Sequence, residues 1–136
     1  MFALGRMFNV LNQAAAGTVR VNLRSATGVT FIATGATTGS VTVNECNAAS
    51  GGTSQALARI TAYWTQTNGV WTRTTQAAAS TFPLTAAGIT VAELDTAMLS
   101  DGFSYVSASH ASGVVLHVIH DLEVQRNPTF LADIRA

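Results

Sequence analysis

The residues best equipped for chemistry are His110, His117, His120 and Asp121, with Cys46 beside Glu45 and Ser104 elsewhere in the chain. On a helix, histidines three apart could gather around one metal ion. Here the surrounding residues alternate with period two, so the segment reads as a strand, on which His117 and His120 point to opposite faces, as do His120 and Asp121. A shared metal site is thereby excluded, and His120 reads as a core histidine whose ring nitrogens find backbone or water. A turn at Ala111-Ser112-Gly113 would set Ser107, not His110, opposite His117.

Nucleophilic chemistry fares no better. Gly102-Phe103-Ser104-Tyr105-Val106 lacks the second glycine of a nucleophile elbow and stands where a strand begins, not where a strand turns into a helix. Cys46, alone in a β context, reads as an inert or half-buried thiol. No GxGxxG or GxxxxGK[ST] phosphate cradle occurs, and the carboxylates are dispersed, with Glu93 assigned to a helix cap and Asp101 to a turn. The expectation is no enzyme, no metal and no cofactor.

The elements that would position these groups are strands. Phe103 to Val124 reads as two strands folded back on each other, and Val114, Leu116, Val118, His120, Leu122 and Val124 form the apolar row expected to be buried. Upstream, Thr18 to Arg24 alternates Val19, Val21 and Leu23 against Arg20, Asn22 and Arg24. Val29 to Thr34 and Ser40 to Glu45 follow as further strands, and Asn47 to Ser54 is an exposed loop.

Arg59 to Thr67 and Val70 to Thr75 flank Asn68-Gly69, the two-residue signal of a type I′ hairpin. That loop sets Gln66 opposite Trp71 and Trp64 opposite Arg73, so the two indoles share a face with Ile60 and Ala62, expected to be core or subunit interface, with Arg73 stacked on Trp64.

Two helices are expected. Leu4, Met7, Phe8 and Leu11 fall at helical spacing within residues 3 to 16, ended by Gly17, and either pack on the chain's own sheet or form an arm that docks on a neighbour. Thr90-Val91-Ala92-Glu93 fits a capping box, which opens a short helix over about 91–100 that buries Val91, Leu94, Ala97 and Met98 and stops at Asp101-Gly102. After Arg126-Asn127-Pro128 the pattern breaks, leaving a tail with Phe130, Leu131 and Ile134.

The predicted fold is therefore mainly β: an antiparallel sandwich or barrel-like domain over residues 18–126, an N-terminal arm or short helix over 1–17, and a C-terminal tail over 127–136. Candidate interface residues are Leu4, Met7, Phe8, Leu11, Tyr63, Trp64, Trp71, Phe130, Leu131 and Ile134.

Composition narrows the partners. Charged residues make up 10% of the 136, with zero net charge and no lysine, where ordinary domains carry about 25%. So little charge suits a place in an assembly better than life as a monomer. Seven scattered arginines argue against nucleic-acid binding, and one cysteine cannot form an internal disulfide. Arg6 interrupts the N-terminal apolar run before it reaches the length of a secretory signal, and no stretch is expected to enter a membrane.

Three stretches, TVRVNLRSATGVTF (18–31), ITVAELDTAMLSDGF (89–103) and HDLEVQRNP (120–128), resemble small structural proteins of tailed bacteriophages, particularly those of high-GC actinobacterial hosts. The resemblance implies a virion protein made in the host cytoplasm, most plausibly a head decoration or capsid-stabilising protein. Such proteins are β-rich and often trimeric, and they sit outside a shell of major capsid protein. A tail-tube or head-to-tail connector subunit is the alternative within that class. A carbohydrate-binding β-sandwich is the alternative outside it, and its aromatic platform would need exposed rings.

Overall fold

Side-chain alternation decides the architecture. In β3 (Gly28–Thr34), Val29, Phe31 and Ala33 are buried while Thr30, Ile32 and Thr34 are half-buried, and the same two-beat pattern recurs in the strands around it. The computed structural model describes residues 9–14, 18–35, 38–120 and 135. Within them the chain is mainly β, two antiparallel sheets packed against each other.

The larger sheet holds β3 with β1 (Val10–Ala14), β6 (Ile60–Thr67), β7 (Val70–Ala79), β9 (Ile89–Asp95) and β11 (Val114–His120), in the order β1-β11-β3-β9-β6-β7. The smaller holds β2 (Arg20–Asn22), β4 (Ser40–Cys46), β5 (Ser54–Ala56) and β10 (Tyr105–Ser109) in the order β2-β10-β4-β5, with β8 (Thr81–Pro83) also pairing β4. Between them lie Val21, Leu23, Phe31, Val43, Phe82, Leu94, Val106 and Ile119, all buried, with the Phe31 and Phe82 rings 6.2 Å apart. Each of the larger side chains contributes about 1.5–3 kcal/mol by leaving water.

Two polar devices close the sandwich. Gln13 of β1 reaches across the core, its Nε2 donating to the Ala108 carbonyl of β10 at 2.6 Å, while its Oε1 faces His117 Nε2 at 3.0 Å. At the end of β4, buried Glu45 accepts from Gln55 Nε2 at 2.5 Å and from the Ser100 backbone N–H at 2.8 Å, which ties down the segment after the 3-10 turn Thr96–Met98. Burial acts to raise the Glu45 pKa, but these hydrogen bonds and nearby Arg59 outweigh it and hold the carboxyl below its ordinary value.

Several expectations are corrected. The segment expected as a helix over 91–100 is instead the strand β9 to Asp95, followed by the 3-10 turn. Pairing with β3 along its whole length and with β6 at Ile89, Thr90 and Val91 outweighs a capping signal worth about 1 kcal/mol. The N-cap of the turn is Asp95, whose side chain accepts from the Ala97 N–H.

The N-terminal helix does not form over residues 10–14, which are β1, an edge strand on β11. The rest of that prediction, including Leu4, Met7 and Phe8, lies outside the described residues apart from Asn9. The tail residues Phe130, Leu131 and Ile134, and Leu122 and Val124 of the predicted row, also lie outside them.

The predicted hairpin over 103–124 is a crossover, because β10 joins the smaller sheet and β11 the larger. With no ladder between β10 and β11, Ser107 faces Arg20 and Asn44, not His117. The facing of β11 is likewise inverted: Val115, His117 and Ile119 point into the core, while Val114, Leu116, Val118 and His120 line the outer face. His117 is thus the core histidine, edge-on to Phe31 at 5.2 Å, and His120 is half-exposed.

Candidate functional site

The outer face of the larger sheet is built from rows that the strand register sets side by side. One row runs Asn12, Leu116, Ile32, Val91, Trp64, Arg73, and the next runs Ala14, Val114, Thr34, Ile89, Gln66, Trp71. These side chains are half-buried or exposed, and Trp71 is 50% exposed. The face is apolar along its middle and becomes charged at one end, where Glu93 and Asp95 continue the outward row of β9 and His120 ends β11.

The Asn68-Gly69 hairpin has the predicted register, with Gln66 opposite Trp71 and Trp64 opposite Arg73. Positive φ at both turn residues, 50° and 79°, fits a type I′ turn. The Arg73 guanidinium lies 5.7 Å from the Trp64 ring centre, as expected. Ile60 departs from the shared face: a bulge between Ile60 and Ala62 breaks the alternation and turns Ile60 into the core. Tyr63 and Leu11 point inward and pack partly buried against the core.

Beyond this hairpin, β7 is the edge of its sheet and pairs only with β6 among the described residues. It is ten residues long, largely exposed, and carries one charge, Arg73, with no lysine and no proline. The usual protections of an edge strand are therefore nearly absent. The strand outruns its expected end at Thr75 and continues through Gln76 to Ala79, with Gln76 Nε2 donating to the carbonyls of Ile60 and Thr81.

A cleft of about 490 Å³ opens at the charged end of the outer face. It arises because the ladder between β6 and β9 stops at Trp64 and Val91, although both strands continue past that pair. Glu93 and Asp95 of β9 and Thr61, Ala62 and Trp64 of β6 line it, together with Thr27, Arg59, Arg73, Met98 and His120. His120 Nε2 lies 3.2 Å from Thr30 Oγ1 and 3.8 Å from Glu93 Oε1. Gly28 sits beneath it, where a Cβ would meet the Leu94 carbonyl at 2.5 Å and His120 Cε1 at 2.8 Å.

Sequence reasoning missed this cleft because β9 was read as a helix. Read as a strand, Ile89, Val91, Glu93 and Asp95 show an outward row changing from apolar to acidic, which was the available signal. Among the described residues, no three or more His, Cys, Asp or Glu side chains come together in a way that could hold a metal ion, and none of the helices is long and apolar enough to cross a membrane.

On the opposite side of the molecule, Arg20 Nη1 donates to the Ala48 and Gly51 carbonyls at 2.8 and 2.6 Å, drawing the 47–53 loop over the smaller sheet. Beneath lies buried Cys46, whose thiol donates to Ser54 Oγ at 3.4 Å.

No family model, curated protein or solved structure matches the chain.

Proposed function

We propose that this chain is a virion structural protein of a tailed bacteriophage, a head decoration protein that self-associates and binds the outside of the major capsid shell. The observation that carries the reading is β7, a ten-residue edge strand with almost no charge, at the border of a sheet whose outer face is apolar along its middle. Such an edge favours strand pairing with another chain. A zero net charge removes the long-range repulsion that would oppose close packing of many copies.

Two copies joined through the same edge make a two-fold dimer, whereas a ring needs two different edges. Among the described residues the larger sheet has them, β7 at one border and β1 at the other. Pairing of β7 with the β1 edge of a neighbour closes into a trimer, the symmetry the bacteriophage resemblance implies. On a shell, the modest contact of each subunit is multiplied by repetition.

The test compares particles assembled with and without the protein. Particles lacking it lose resistance to heat and to low ionic strength, and regain it when the purified protein is added back. Particles equally robust in both preparations would refute the decoration role. Rings of more than three subunits, or tubes, formed by the protein alone would move it to the tail or connector.

A further inference from the structure

We infer that the cleft between β6 and β9 is a binding site for a neutral saccharide, an activity that does not depend on whether the chain sits on a capsid. The argument begins with its charges. Arg59 and Arg73 line the same cleft as Glu93 and Asp95, two positive groups with two negative ones. A phosphate or sulfate would meet both carboxylates, and an amine would meet both guanidinium groups. An uncharged polyol meets neither penalty: its hydroxyls donate to the carboxylates and accept from the guanidinium N–H groups, and such charge-assisted hydrogen bonds are the stronger kind.

The walls fit the same ligand. Trp64 and Met98 supply apolar surface for the C–H faces of a sugar ring, while Thr27 and Thr61 add hydroxyls. The volume falls within the range of small-molecule sites, about 300–1,000 Å³. The site is also held in place. His120 is bracketed by Thr30 and Glu93, the Thr27 N–H and hydroxyl both reach the His120 carbonyl, and the Thr96 N–H reaches the Thr27 carbonyl. Asp95 is oriented by its bond to the Ala97 N–H, which leaves the fork between the strands rigidly walled. Edge pairing through β7 extends the sheet sideways and leaves this outer face open, so the two roles are compatible.

The experiment titrates the intact chain with neutral oligosaccharides of glucose, galactose, mannose and arabinose, following backbone amide NMR shifts, with inorganic phosphate and a diamine as charged probes. The expected result is saturable binding of at least one sugar, with shifts centred on Thr27, Thr61 and Glu93. Glu93→Gln and Arg59→Gln each weaken it about tenfold while the β circular dichroism of the fold is retained, and neither charged probe competes. The inference is overturned if no sugar shifts these amides at about 10 mM, if both variants bind as the parent does, or if phosphate occupies the cleft equally well. Because the assay uses the isolated protein, its failure would leave the capsid reading standing.

Discussion

Gln13 and His117 meet inside the sandwich, with His117 Nε2 3.0 Å from Gln13 Oε1. The Ala108 carbonyl takes the Gln13 amide N–H, so the Gln13 oxygen must face the ring, and His117 is the neutral tautomer that donates from Nε2. Its Nδ1 is buried without a hydrogen-bond partner. A proton added there would carry its charge into the core beside Phe31, and burial, with His110 nearby, accordingly lowers the pKa from 6.5 to about 4.

The first prediction is acid lability with a defined window. Since the folded-state pKa lies below the unfolded one, the contribution of His117 is complete above pH 6.5 and is lost as pH falls from there toward 4. Urea unfolding should show a loss of about 2 kcal/mol between about pH 7.5 and about pH 5. Most of that slope should vanish in His117→Phe.

Removing the other partner tests the same network at neutral pH. Gln13→Ala strands the buried Ala108 carbonyl and the His117 N–H together, at a cost of about 2–4 kcal/mol. Amide exchange should rise first in β1, which that side chain fastens to the opposite sheet. A uniform increase across all strands would argue against this anchoring role.

The hairpin turn isolates a backbone effect. Gly69 has φ 79° and nothing within 4 Å of an added Cβ, so Gly69→Ala tests conformational cost alone. About 1 kcal/mol should be lost in denaturant unfolding, with the m-value unchanged. At Gly28 the reason is contact instead: Gly28→Ala should be the costlier change, because backbone of β9 occupies the space.

Arg20 offers a chemical readout. Its guanidinium holds the 47–53 loop down by two carbonyls, and Cys46 lies buried beneath. Arg20→Ala should speed reaction of Cys46 with a thiol reagent about tenfold in the native state while leaving global stability nearly unchanged. An unchanged labelling rate would mean that the loop is held by other contacts.

How much of this was legible depended on whether the signal was local. The Asn68-Gly69 turn fixed the register of β6 and β7 down to the Arg73 and Trp64 contact, because a two-residue loop leaves the partners no choice. Val21 and Leu23 were readable as inward for the same reason, a clean alternation. β9 was not, since Thr90 and Glu93 make a plausible cap and only the distant β3 and β6 show that the segment is extended. The facing of β11 was misread because both of its rows are largely apolar; what decides is Gln13, 104 residues away, whose amide satisfies His117 in the core. The cleft depended on both misreadings and so stayed hidden.

The central claim is that β7 is a pairing edge between copies. In a two-residue hairpin the closing pair, Thr67 and Val70, is hydrogen-bonded, and alternation from there leaves the backbone N–H of Thr75 pointing away from β6. Light scattering across concentration on the parent chain, Thr75→Pro and Thr75→Lys measures the claim directly. The account predicts a discrete oligomer for the parent, three times the 14.1 kDa chain mass, and monomers for the proline variant with β circular dichroism retained. The lysine variant, which keeps the backbone intact, should dissociate at higher concentration than the parent. A parent that stays monomeric at every concentration, or folded variants that keep the parent's mass, would contradict it.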